Sequence, residues 1–148
     1  MNAIEFITFL LAPIGYVGLC ANMGLTTQNR FNKKFLAMNA AIIVIHVFMV
    51  WSFRYGWSFA QATRNGYVGF LLFHGALLMI VGSLFVKTAM ATRLIVIAFL
   101  VVSAGALGAV FRYEVVSLYR IPVILIALAG LGLLCKSYFD KKRIAASN

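Results

Sequence analysis

The sequence predicts an all-α membrane protein, a five-helix transmembrane bundle with its N-terminus outside and its C-terminus cytoplasmic. Three observations predict it. Hydrophobic residues fill 64% of the 148 positions, where a soluble domain is nearer half apolar. The mean hydropathy is +0.99. The apolar residues also fall into five successive runs, at 4–25, 35–53, 67–86, 94–111 and 121–135. A hydrocarbon core of about 30 Å takes roughly 20 helical residues to cross, so runs of this length read as spans. Almost nothing remains for a soluble domain, and 1–148 reads as a single integral membrane domain.

Charge supports the same reading. Lys and Arg number 13 against 3 acids, a net charge of +10. On a soluble protein such a balance suggests nucleic acid. Here the cations flank apolar runs, where they fix topology and meet anionic lipid headgroups, so membrane lipids are expected as partners and nucleic acid is not. Cys20 and Cys135 form no CxxC pair. Both fall near the ends of their helices predicted to be cytoplasmic, a reducing side where a structural disulfide is not expected.

The first run has no basic leader and no A-x-A cleavage site, so it reads as a retained helix. Pro13 inside it predicts a kink, and Gly15 and Gly18 predict a close-packing face. In the second run Asn39 and His46 stand seven residues apart, on one face with Ile42, Ile43 and Met49. Trp51, Tyr55 and Trp57 gather where this run ends, which marks a headgroup interface. The third run carries His74 and Gly75, with Gly82 further on. The fourth contains the pairs Ala104/Gly108 and Gly105/Ala109, whose spacing predicts tight helix contact, so that Gly108→Leu is expected to weaken the bundle. Pro122 opens the fifth run, where proline is tolerated, and 136–148 reads as a basic polar tail.

Counting cations sets the orientation. The 26–34 loop, the 87–93 hinge and the tail hold Arg30, Lys33, Lys34, Lys87, Arg93, Lys136, Lys141, Lys142 and Arg143, nine in all. The opposite side holds Arg54, Arg64, Arg112 and Arg120, four in all. The richer side is expected to be cytoplasmic. The membrane is read as a bacterial inner (plasma) membrane.

His46 and His74 are the only histidines. His46 precedes Arg54 by eight residues and His74 follows Tyr67 by seven, which puts both about 10–12 Å below the outer interface. Two imidazoles at one depth on neighbouring antiparallel helices suit the axial ligation of a b-type haem between the second and third runs. Gly75 would leave room for the macrocycle. Arg54 and Arg64, with Arg112 and Arg120 on the same side, would pair with propionates. The outline resembles small membrane b-type cytochromes. On this reading the chain is a small electron-transfer subunit working with a redox partner or quinone.

Two other readings stand beside it. One is a cofactor-free accessory, assembly or immunity protein binding another membrane protein, or a homo-oligomer. The other is a small-solute or proton pathway using the two histidines. No span carries a deep charged side chain, which argues against a cation-coupled carrier. No nucleophile–base set or phosphate-binding loop is present, so the chain reads as a non-catalytic subunit. Zinc would need two more ligands than these histidines supply.

Overall fold

The computed structural model describes residues 3–64 and 66–146. Asn65 of the expected 54–66 loop, and Ser147 and Asn148 at the end of the expected tail, lie outside the described residues. Six α-helices follow in order: α1 (Ala3–Thr27), α2 (Lys33–Met49), α3 (Phe59–Thr63), α4 (Tyr67–Gly82), α5 (Thr88–Arg112) and α6 (Arg120–Ala146). A π-helical turn, Val50–Arg54, extends α2, and a 3-10 helix, Glu114–Tyr119, joins α5 to α6. No strand occurs among the described residues. Among the described residues four helical segments are long and apolar enough to cross a membrane: Ile4–Thr27, Lys33–Arg54, Thr88–Arg112 and Glu114–Ile144.

The third run is the exception. It is helical from Tyr67 to Gly82, 16 residues, about 24 Å long at 1.5 Å per residue, and not the full 67–86 expected. The Ser83 hydroxyl donates to the Ile80 carbonyl at 2.6 Å, and Leu84 and Phe85 then donate back three residues, to Val81 and Gly82. These tighter turns end the helix. The tail departs in the other direction. It is helical to Ala146, because no Gly or Pro follows Gly132 and Lys, Arg and Ala favour helix. The 54–66 loop contains α3, which Ser58 caps by accepting from Gln61 N at 3.4 Å. Helix α1 runs unbroken through Pro13.

The bundle is dense in one half and hollow in the other. Leu19, Met23, Leu36, Ile80, Ile95 and Phe99 are all buried, and they come from the ends of α1, α2, α4 and α5 that lie toward the nine-cation side. Asn39 bridges α2 to α1. With its amide assigned the orientation that satisfies both neighbours, it donates to Gly15 O at 3.2 Å and accepts from Leu19 N at 3.0 Å. At Gly130 a Cβ would run into the Phe99 ring, so the Phe99 side chain of α5 packs directly on the α6 backbone there. Ser137 Oγ donates to Thr27 O at 3.0 Å and ties α6 to the end of α1. Toward the other side the helices separate and leave a chamber.

Candidate functional site

The chamber has a volume of about 950 Å3, at the upper end of small-molecule sites. Its lining runs from Phe9 to Leu19 on α1 and from Val68 to Ile80 on α4, about 15–18 Å along the axis at 1.5 Å per residue. That is roughly the depth of one leaflet, half of a hydrocarbon core of about 30 Å. Most of the wall is apolar: Phe73, Leu77 and Ile80 from α4, Ile43 and Val47 from α2, Val102 and Ala106 from α5.

The polar groups stand at two levels. Arg54, Arg64 and Arg112 line the open end, together with Glu114. A smaller pocket of about 210 Å3 is lined by Glu5 together with the same Arg54 and Arg64. Arg54 lies over the Phe9 ring, 5.8 Å from its centre, and Arg112 over the Tyr113 ring at 5.5 Å. Each of the three guanidinium groups carries a fork of donors that suits an anion. Arg120 is not in the wall: its Nε donates to the Val110 carbonyl at 2.9 Å.

Both histidines line the chamber about half-way down, and they bond to different helices. His46 Nδ1 donates to the Thr8 carbonyl of α1 at 2.8 Å. A carbonyl only accepts, so this nitrogen carries the proton and Nε2 keeps its lone pair. His74 has both nitrogens engaged. Nδ1 donates to the Phe70 carbonyl at 2.8 Å, and Nε2 accepts from Trp51 Nε1 at 3.0 Å. Phe70 stacks on the His74 ring at 4.0 Å, and Trp51 meets it edge-on at 5.9 Å.

The expected site residues are therefore brought together in part. His46, His74, Arg54 and Arg64 share one cavity, whereas Gly75 is not in its wall. The face of α2 that carries Asn39, Ile43 and His46 is a real contact face, but its partner is α1. Asn39 does not reach His46, and the histidines are not bonded to each other. Residue reasoning missed the role of Trp51. A tryptophan at the end of an apolar run reads as an interface anchor, and only the π turn, which shifts register by one residue, aims it at α4.

Haem fits this geometry only in part. The volume, the apolar wall and the arginines suit an amphipathic anion of that size. The axial pair does not fit: His46 has Nε2 to give, while both nitrogens of His74 are taken. Among the described residues no cluster of three or more His, Cys, Asp or Glu could hold a metal ion. Compared with protein-family models, curated proteins and solved structures, the chain matches none, so the site is read from its own geometry.

Proposed function

We propose that this chain is an integral membrane protein that binds an amphiphile with an apolar body and an anionic head, a membrane lipid taken from one leaflet. The observation that carries the reading is the chamber: one leaflet deep, apolar along its length, with Arg54, Arg64 and Arg112 at its open end. An apolar body removed from water fills the wall, and the head accepts from the guanidinium groups of Arg54, Arg64 and Arg112. On this reading α4 crosses as a fifth span, and the nine-to-four cation split supports an open end on the non-cytoplasmic side with the N-terminus outside. In a bacterium the membrane would be the inner one and the leaflet its periplasmic one.

The test uses the protein purified in mild detergent. Lysophosphatidate is expected to bind, and a monoacylglycerol of the same chain to bind at least tenfold more weakly. Arg64→Gln and Arg112→Gln are each expected to weaken lysophosphatidate about tenfold, the scale of a charge-assisted hydrogen bond. Equal affinity for the two heads, or binding of neither, overturns the reading.

Haem b remains a second reading because both histidines border the chamber. It requires Trp51 to release His74. Under the lipid reading the preparation is colourless even with ample haem supply. A low-spin b-type spectrum that is lost in both His46→Ala and His74→Ala would restore the electron-transfer role in its place.

A further inference from the structure

The chamber is closed most weakly along the seam between α2 and α4. Each helix is anchored on its far side. Asn39, Ile43 and His46 hold α2 to α1: a Cβ at Gly15 would meet the Ile43 side chain at 2.8 Å, and His46 bonds Thr8 O. Helix α4 packs chiefly on α5, with Ala76 and Ile80 buried and the Phe73 ring 3.0 Å from where a Gly105 Cβ would sit. Across the seam, the bond from Trp51 to His74 is the one side-chain hydrogen bond among the described residues. Around it stand Phe70, 6.2 Å from the Trp51 ring, and Trp57, stacked on Trp51 at 5.9 Å.

The segment that carries Trp51 is built unlike the rest of the bundle. It is the π turn, and the next turn holds Gly56 at φ +52° and Trp57 at φ +60°. For a bulky residue the left-handed region is a strained outlier, of the kind that clusters at clamps and switches. Trp57 N donates to the Trp51 carbonyl at 3.0 Å, so the strained residue is joined directly to the one that spans the seam.

From these observations, and resting on the lipid-binding reading above, we infer that the lipid passes sideways through the α2–α4 seam and that the Trp51–His74 hydrogen bond is its latch. A lipid approaching from the open end would have to bring its chain through water, which every exposed methylene opposes. A lipid crossing the seam keeps its chain in hydrocarbon while its head travels at headgroup depth toward Arg54 and Arg64. The occupant is thus a lipid already resident in the leaflet, and not a soluble anion.

The experiment follows uptake and release of a pyrene-labelled lysophosphatidate between vesicles and the full-length protein in vesicles. Trp51→Phe keeps an aromatic ring and loses the donor. Both rates are expected to rise about fivefold, the factor for one interhelical hydrogen bond in a membrane, with their ratio changing less than either rate. His74→Leu is expected to match it, and His74→Gln, which keeps an acceptor, to fall back toward the original rates. If wild-type protein takes up the probe and neither Trp51→Phe nor His74→Leu changes the rates, the latch is wrong and the chamber reading stands. If wild-type protein takes up no probe at all, the chamber reading fails and the latch with it.

Discussion

At the scale of single residues, the bundle is held by polar side chains that reach across to a neighbouring backbone. Asn39 is the clearest. Its amide enters the α1 hydrogen-bond ladder at Gly15 and Leu19, and Gly18 is glycine because a Cβ there would strike that amide. Gly18→Ala is therefore expected to destabilise by about 1–3 kcal/mol, the usual cost of overpacking. Asn39→Ala is expected to cost about 1 kcal/mol, the scale of a membrane interhelical hydrogen bond. The double variant should lose less than the sum, since removing the amide removes what the methyl strikes. Thermal melts of the three variants in one detergent check this, and strict additivity would show that the two residues do not meet. Part of this was legible in the sequence. Periodicity puts Asn39, Ile43 and His46 on one face, and Gly15 and Gly18 on a packing face. It does not say that these two faces meet, because a spacing names a direction on its own helix and not the neighbour it points at. The same limit hid the Thr8 and Trp51 bonds. The first depends on a backbone carbonyl of α1, and the second on a π turn with no marker in residue type.

At the scale of helices, small residues play two opposite parts. The spacing of Ala104/Gly108 and Gly105/Ala109 reads as a contact motif, yet nothing lies within 4 Å of a Cβ at Gly108, which borders the chamber. The tight α5–α6 contact is Phe99 against Gly130 instead. A glycine can admit a neighbouring helix or keep a cavity open, and sequence spacing does not distinguish these. Gly130→Ala is accordingly expected to lower the melting temperature, at a cost of about 1–3 kcal/mol, because the Phe99 ring is fully buried and has to move. Gly108→Leu, expected from spacing alone to weaken the bundle, is expected here to leave the melt nearly unchanged and to reduce lysophosphatidate binding at least tenfold by filling the chamber. If Gly108→Leu melts like Gly130→Ala, the cavity beside Gly108 is not there. Helix ends were the least legible feature. The short α4 and the helical tail both departed from apolar run length, since Ser83 closes the first early and nothing interrupts the second.

At the scale of the whole molecule, the question is whether α4 crosses the membrane. Its 16 residues span about 24 Å against a hydrocarbon core of about 30 Å. Yet Leu84, Phe85 and Val86 carry apolar side chains beyond Gly82, and Phe85 is 82% exposed, as a lipid-facing ring would be. Non-helical backbone survives at membrane depth only where protein covers it. Ser83, where the helix ends, is 1% exposed, with its N–H bonded to Met79 O and its hydroxyl to Ile80 O. The remaining shortfall is of the size that a bilayer absorbs by thinning locally. A crossing α4 puts 55–63 and 83–87 on opposite sides of the membrane. A non-crossing one puts them on the same side, leaving four spans and both termini together. The distinction is measured with single cysteines in a Cys20→Ala, Cys135→Ser background, using a maleimide that does not cross membranes. Gln61→Cys is expected to react in intact cells, and Lys87→Cys only after permeabilisation, with a reporter fused after Asn148 active in the cytoplasm. Reaction of both cysteines from outside would remove α4 from the spans. It would also move the chamber wall out of the leaflet, so that the depth match between chamber and lipid, on which the binding proposal rests, would no longer hold.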